Sequence, residues 1–181
     1  MKEGVRILAL DESPFKRGDR SVMVVGVIAR QDVIEGVLSF YVEKDGTDST
    51  DMIIKRLRGS RFASQIRIVA INGITLAGLN IVDFPRLGKE LNVQVIGITR
   101  KKPHPRLLKM ASNKVKEKRV ERSELLDKVT KSVKIKRSMG YYAQYIGPAP
   151  EDDTIEKSAR FLRLSHLIAS GIGYGESKGR V

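Results

Sequence analysis

One stretch of the chain constrains its fold more than any other: residues 66–78, IRIVAINGITLAG. Its first half is short, apolar and rich in β-branched residues, which is typical of a strand buried on both faces of a sheet. A second run of this kind, residues 93–98, follows after one helix length. Two buried strands joined through a helix predict a parallel pair with a right-handed crossover. Ligands usually bind beyond the carboxyl ends of such strands, so Asn72, which ends the first run, is a candidate site residue.

Three further strands are predicted upstream of this pair. Apolar runs cover residues 5–10, 21–29 and 33–42, and the polar pair Gln31-Asp32 predicts a hairpin between the last two. Three antiparallel strands followed by two parallel strands with crossover helices are the element order of an RNase H-like mixed α/β sheet. We therefore expect that fold.

Helices are predicted around these strands. Asp48 precedes apolar residues at helical spacing, and Gly59 marks the end of that helix. The spacing also predicts an irregular helix over residues 77–91, interrupted at Pro85. The remaining predicted elements are a charged helical stretch at 106–129, a small hairpin at 132–137 and 141–146, an amphipathic helix at 155–170 and a flexible tail at 171–179.

Composition limits the class of protein. The chain has 181 residues, 41% of them hydrophobic, which suits a single domain over residues 1–181. It has no apolar run of about 18 residues and no signal-peptide core, so we expect a cytoplasmic protein without a membrane partner. The absence of cysteine excludes thiolate metal sites and thiol nucleophiles. A metal site would depend mainly on carboxylates, which favour Mg²⁺ or Mn²⁺.

Charge is the second strong constraint on function. The formal net charge is +13, and residues 100–137 hold 15 Lys and Arg but only 4 Asp and Glu. Such a one-sided run favours a polyanionic partner, nucleic acid first. Three tyrosines beside the run, Tyr141, Tyr142 and Tyr145, can stack on unpaired bases, although packing within the hairpin explains them equally well. The candidate contacts in this basic segment, residues 100–146, are Lys116, Lys118, Arg119, Arg122, Tyr141 and Tyr142.

Acidic residues follow two of the predicted strands. Asp11 follows the first strand, whereas Asp45 and Asp48 follow the third. In an RNase H-like sheet the first strand lies beside the central parallel strand, so Asp11 should face Asn72. Two-metal hydrolysis of a phosphodiester needs carboxylates that hold cations about 3.5–4 Å apart, and these three carboxylates are candidates. The alternative is that Asp48 is a helix cap and Asp45 a turn residue.

Several motifs are distinctive when taken together. They are Asp11-Glu12 with Phe15, DGTDST at residues 45–50, NGITLAGLNIVD at residues 72–83, LRLSHLI at residues 162–168 and GESKGR at residues 175–180. Through these motifs the chain resembles the endonuclease dU-like family, a mainly archaeal group that is similar to endonuclease V in fold. The resemblance extends over nearly the whole chain.

The resemblance implies a divalent-metal-dependent endonuclease that acts near a deaminated or unusual base, in a DNA repair role. Uracil-containing DNA is the family's proposed substrate, which puts DNA ahead of RNA. Asp11, Asp48 and Asn72 would be catalytic, with Mg²⁺ or Mn²⁺ as cofactor. The chain departs from the family pattern at Asn72, where an Asp is usual, and at Arg160, where a Glu is usual. A neutral amide can bind a metal through its oxygen but supplies no charge.

Three further residues are candidates with open alternatives. Asp83, three residues after Asn80 on the predicted helix, either supplies the missing carboxylate as a metal ligand or pairs with a neighbouring loop. His166 lies among apolar residues, which favours a satisfied core or boundary histidine. The alternative is that His166 and Arg163 contact phosphate or base.

Two other functions remain open at the level of sequence. One is a nucleic-acid-binding protein of the same fold with weak or lost cleavage. The other is a scaffold protein whose basic segment meets an acidic partner. Salt dependence separates the scaffold from the rest, because phosphate contacts weaken steeply as salt rises.

Overall fold

A computed structural model of the protein describes residues 4–177. Within that range the chain forms nine strands and five helices. The strands are β1 (Arg6–Glu12), β2 (Ser21–Arg30), β3 (Val33–Glu43), β4 (Ile66–Asn72), β5 (Thr75–Leu76), β6 (Asn80–Ile81), β7 (Gln94–Thr99), β8 (Lys134–Ser138) and β9 (Tyr141–Tyr145). The helices are α1 (Ser49–Arg58), α2 (Phe84–Leu91), α3 (Pro105–Lys114), α4 (Arg119–Ser132) and α5 (Asp152–Tyr174).

Seven strands form one mixed sheet in the order β3-β2-β1-β4-β7-β9-β8. Strands β1, β2 and β3 are antiparallel neighbours, whereas β1, β4 and β7 run parallel. Strand β9 lies antiparallel to β7, and β8 pairs with β9. The first strand therefore lies between an antiparallel meander and the parallel strands. This is the RNase H-like arrangement, so the predicted fold class is confirmed.

Two helical layers cover the sheet, and β1 shows how the strands divide between them. Alternate residues of a strand point to opposite faces. Leu8 and Leu10 belong to the core that α1, α2 and α4 cover, whereas Ile7 and Ala9 belong to the core beneath α5. Because side chains alternate along β1, Asp11 points toward α5. No helix in the described part of the chain is long and apolar enough to cross a membrane.

The helix predicted over residues 77–91 is wrong in its first half. The chain instead forms the short β5–β6 hairpin, and α2 begins only at Phe84. Ala77 and Gly78 have φ values of +49° and +85°, a left-handed turn that a helix cannot contain. Apolar side chains of this hairpin are buried at a spacing that resembles a helical one. Consequently Asn80 and Asp83 do not share a helix face.

The other differences lie in the second half of the chain. The charged helical stretch is two helices, α3 and α4, separated by a break in which Lys118 is left-handed. Pro85 and Pro105 each lie in the first turn of a helix, where proline's missing N–H breaks no hydrogen bond. The predicted hairpin forms as β8 and β9, but it also extends the main sheet. Helix α5 continues to Tyr174, and residues 178 and 179 of the predicted tail lie outside the described residues.

Candidate active site

Asp11 lies where β1 reaches the carboxyl end of the sheet. Strands β1 and β4 are parallel neighbours with Leu10 opposite Ile71, so Asp11 and Asn72 follow side by side. Both side chains line one cavity of about 1000 Å³, here called the Asp11 cavity. Asp11 is only 5% exposed, whereas Asn72 is exposed. The structure brings these two residues together in the way that the strand pattern predicts.

His166 reaches the same cavity from α5. The preceding residue, Ser165, is fully buried and donates a hydrogen bond to the Ala9 carbonyl at 2.7 Å, which fixes the helix against β1. This contact puts His166 Nδ1 3.2 Å from Asp11 Oδ2. The imidazole is 56% exposed. His166 is therefore not a core residue: it lies at the boundary, where its side chain faces the cavity, and its contact with phosphate or base stays a prediction.

Burial dominates the electrostatics of Asp11 and Glu12. It raises the pKa of Asp11 to about 7, although a hydrogen bond from the Glu12 backbone N–H, at 3.0 Å, partly offsets the effect. Burial, with a smaller contribution from the Asp11 charge, also raises the pKa of Glu12 to about 7, against hydrogen bonds from the backbone of Glu12 and Ala77. A nearby positive charge would favour the ionised forms. A buried carboxylate of this kind is typical of a site that binds a cation or transfers protons.

Basic residues surround the acidic floor of the Asp11 cavity. They come from the end of β7 and from α5, and the acidic side chains of Asp153 and Glu156 also line the cavity. Tyr141 contributes to the wall, and the Arg100 guanidinium lies 5.9 Å from the centre of its ring. Cations at the rim of a concave surface attract phosphate groups. The basic residues of the rim are Arg100, Lys101, Lys157, Arg160 and Arg163.

The other predicted carboxylates have different partners. Asp48 accepts hydrogen bonds from the Glu43 backbone N–H, at 3.1 Å, and from the Asn80 amide, at 2.6 Å. Asp45 Oδ1 accepts one from the backbone N–H of Leu79 at 2.9 Å. These two carboxylates and Asn80, here called the loop cluster, tie the β3–α1 loop to the β5–β6 hairpin. Neither carboxylate lines the Asp11 cavity.

Asp83 is also engaged away from the cavity. Its carboxylate accepts a hydrogen bond from the Arg86 backbone N–H at 3.1 Å and so caps α2. Its other oxygen forms an ion pair with Lys128 Nζ at 2.5 Å. The structure therefore does not bring Asp83 to Asn72, where it could replace the missing carboxylate.

The donors in the Asp11 cavity suit one divalent cation rather than two. The carboxylate of Asp11, the amide oxygen of Asn72 and the imidazole of His166 all face the same space. Among residues 4–177 no group of three or more histidine and acidic side chains is arranged to hold a metal. One carboxylate with two neutral ligands binds a hard cation weakly. The two-cation arrangement expected from Asp11, Asp45 and Asp48 is not found in this part of the chain.

The basic segment contains one residue that cannot meet a nucleic acid. Arg122 is fully buried, and its guanidinium donates to four backbone carbonyls, including that of Asp45 at 2.8 Å. The predicted phosphate contact for Arg122 is therefore wrong. Lys116 and Arg119 are exposed, whereas Lys118 is paired with Glu43 at 2.5 Å. The ring of Tyr142 is partly buried and lies 5.8 Å from the guanidinium of Arg137.

Sequence reasoning missed several residues of the cavity, and two signals could have found them. Thr99, Arg100 and Lys101 end the third parallel strand, so the rule that selected Asn72 applies to them as well. Lys157 and Arg160 precede the candidates Arg163 and His166 at intervals of three along α5, a spacing that makes neighbours on a helix surface.

Comparison with known proteins agrees with this architecture. The model of the endonuclease dU family matches residues 3–173. A UPF0215 protein of Pyrococcus horikoshii is 37% identical over 191 residues, which cover 98% of this chain and 97% of the relative. A protein of unknown function from Archaeoglobus fulgidus, known as a crystal structure, has a TM-score of 0.82 and 31% identity, covering 94% of this chain and 99% of that one.

A more distant likeness involves endonuclease V of Ciona intestinalis in complex with DNA that contains an inosine. It has a TM-score of 0.46 and 10% identity, covering 88% of this chain and 84% of that one. The match of the family model to almost all of the sequence is far stronger evidence. The chain belongs to the endonuclease dU family.

Proposed function

We propose that the protein is a divalent-metal-dependent endonuclease that cleaves nucleic acid near a deaminated or unusual base, with uracil-containing DNA as its substrate. One observation carries the proposal: the buried carboxylate of Asp11 faces Asn72 and His166 in a cavity with a basic rim. A phosphodiester needs cationic groups to hold it and a polar centre to activate water. Family membership supports the same reaction class.

The residues of the chain would share the work as follows. Basic side chains at the rim hold the phosphate and its neighbours. Asp11 and Asn72 would hold a divalent cation, which when bound supplies charge to the phosphate oxygens. His166 Nδ1 lies 3.2 Å from Asp11 Oδ2, so the carboxylate helps to position the imidazole, the usual group for taking or giving a proton near neutral pH.

The test is a cleavage panel with Mg²⁺ or Mn²⁺ and single- and double-stranded substrates that contain uracil, hypoxanthine or only ordinary bases. Matching DNA and RNA strands extend the panel. We expect cleavage of uracil-containing DNA that requires the metal ion and disappears in Asp11→Asn. Failure of every substrate, or equal activity in Asp11→Asn, would contradict the proposal.

A second candidate function is nucleic-acid binding without efficient cleavage. The observation in its favour is that Asn72 stands beside Asp11, so the cavity floor has one carboxylate where a pair would hold a cation more firmly. Under this alternative, DNA affinity falls steeply with rising salt while no product forms with either metal ion. A binding titration at stepped salt concentrations, run beside the cleavage panel, separates the two functions.

A further inference from the structure

A second cavity opens beside the first, on the side of α3 and α4. It has a volume of about 240 Å³ and is here called the Gln144 cavity. Asn72 and Thr99 line both cavities, so the two share a wall. The other lining residues are Gly73, Ile74, Thr75, Pro103, His104, Pro105, Leu108, Thr130 and Gln144.

Gln144 is the unusual member of this lining. It is 4% exposed, and among residues 4–177 its side-chain amide has no hydrogen-bond or ionic partner. Its neighbours on β9, Ala143 and Tyr145, point into the core beneath α5, so Gln144 points to the other face, where the cavity lies. A buried amide normally has a hydrogen-bond partner. The Gln144 amide is not among the fully enclosed polar atoms that lack one, so its polar atoms open onto the cavity, where a ligand can pair with them.

The backbone around Gln144 keeps this space next to the Asp11 cavity. Gly97 lies opposite Gln144 in the β7–β9 pair. A Cβ atom on Gly97 would stand 2.1 Å from the carbonyl oxygen of Gly73, so the chain that leaves β4 crosses directly over β7. Gly73 itself has a φ of +75°. This close crossing makes the segment after Asn72 the partition between the two cavities.

The chemistry of the Gln144 cavity suits a flat polar ring. Its walls carry the rings of Pro103 and Pro105 and the apolar side chains of Ile74 and Leu108, while its polar end carries the amide. A primary amide presents a donor beside an acceptor, which matches the edge of a nucleobase. Proteins hold unstacked bases in this way, between apolar surfaces and against a hydrogen-bonding group.

We propose that the Gln144 cavity binds one unstacked nucleobase, with the Gln144 amide hydrogen-bonded to its edge and the adjoining phosphate in the Asp11 cavity. Uracil and hypoxanthine both present an N–H beside a C=O, and the amide pairs with both groups at once. This inference deepens the proposed function and rests on it for the choice of a nucleic-acid ligand.

Binding of deoxyuridine 5′-monophosphate tests the inference without reference to cleavage. The side-chain NH₂ signals of Gln144 are assigned in ¹⁵N-correlated NMR spectra by their loss in Gln144→Met, which keeps the length of the side chain but removes the amide. We expect the nucleotide to shift these signals, and Gln144→Met to weaken its binding about tenfold or more, as loss of a two-point base contact does. Binding of 2-deoxyribose 5-phosphate, which has no base, should be the same in both proteins.

Gln65→Met is the matched control, because it makes the same exchange outside both cavities. It should bind the nucleotide as the wild type does. Unchanged affinity in Gln144→Met, no shift of the Gln144 signals at saturation, or the same shift with the sugar phosphate alone would overturn the inference. Nucleotide binding through Gln144 in a protein that cleaves no substrate would instead overturn the proposed endonuclease alone.

Discussion

The Asp11 cavity and the loop cluster are both acidic, yet their carboxylates are in opposite situations. Asp11 is almost fully buried, its carboxylate accepts one backbone N–H, and the His166 imidazole lies 3.2 Å away. Asp48 is partly exposed and accepts from a backbone N–H and from the fully buried amide of Asn80. Burial raises the pKa of Asp11 to about 7. The hydrogen-bonded carboxylates of the loop cluster therefore stabilise the fold, whereas the buried charge of Asp11 lowers its stability.

This contrast extends to what each region does for the protein. The loop cluster joins two segments that are far apart in sequence, since Asp48 and Asn80 are separated by 32 positions. Removing the Asp48 carboxylate leaves the buried amide of Asn80 with one of its two acceptors, the Glu43 carbonyl. The Asp11 cavity joins the ends of parallel strands to α5 and leaves its polar groups facing open space. A buried carboxylate that lowers the stability of the fold and faces an open cavity is typical of a functional site.

The largest expected effect is that of Asp11→Asn on cleavage. The substitution keeps the size of the side chain but removes the charge, so we expect cleavage to fall on the order of 10²-fold or more. At pH 8 the free energy of unfolding should rise by up to about 2–4 kcal/mol, because the substituted side chain no longer buries a charge. Single-turnover cleavage and urea unfolding measure the two quantities. Asp51→Asn, which changes an exposed carboxylate on α1, should alter neither by much.

Asp48→Ala should give the opposite pair of results. The exposed Glu43 N–H loses its acceptor and the Asn80 amide keeps only the Glu43 carbonyl, so the free energy of unfolding should fall by about 1–2 kcal/mol. The cleavage rate of the folded protein should change less than about threefold. Urea unfolding and single-turnover cleavage at a temperature well below the transition check both expectations. A hundredfold loss of cleavage with unchanged stability would move Asp48 into the active site.

The pH dependence of stability should reveal the buried carboxyl groups of Asp11 and Glu12. Their pKa values are raised to about 7 in the folded protein, from about 4 in the unfolded chain. Their contribution to stability is therefore complete below pH 4 and is lost as the pH rises through 7. We expect the free energy of unfolding to decrease by about 3–5 kcal/mol between pH 5 and pH 8. Urea unfolding across this range should give a flatter profile for Asp11→Asn, and identical profiles would refute the assignment.

The smallest expected effect is that of Asn72→Asp. A second carboxylate beside Asp11 should tighten Mn²⁺ binding about three- to tenfold and raise cleavage by a similar factor, because the cation gains a charged ligand. Without metal, repulsion between the two carboxylates should lower the free energy of unfolding by less than about 1 kcal/mol, and saturating Mn²⁺ should recover it. Calorimetric titration and thermal unfolding check these values. No change in Mn²⁺ affinity would exclude residue 72 from the metal site.

Local sequence patterns predict the strands because each strand is determined by the residues of its own short segment. The β-branched runs of β1, β4 and β7 are short and buried, and strand order then follows from the few connections that a mixed sheet allows. Once β1 and β4 are neighbours, Asp11 and Asn72 must meet at their ends. The register of the parallel pair β1–β4 therefore determines that Asp11 and Asn72 lie together in the candidate site.

The remaining parts of the site depend on contacts that no local pattern records. His166 faces the cavity because Ser165 is bonded to Ala9, which lies 156 positions away in the sequence. The partners of Asp48 become visible only when the β5–β6 hairpin packs against the β3–α1 loop. That hairpin was itself mistaken for a helix, since its buried residues happen to recur at helical spacing. The sequence pattern does not distinguish Arg122 from the exposed basic residues around it, whereas in the structure Arg122 is fully buried.

The proposed metal site is tested most directly by locating a bound metal ion. Paramagnetic Mn²⁺ broadens the NMR signals of nearby nuclei, so a titration at low Mn²⁺ shows which residues surround it. We expect the side-chain amide of Asn72 and the imidazole of His166 to broaden first and the backbone amides of Asp45 and Asp48 to stay sharp. Asp11→Asn should abolish the broadening. Broadening that begins at Asp45 and Asp48 and persists in Asp11→Asn would contradict the proposed metal site.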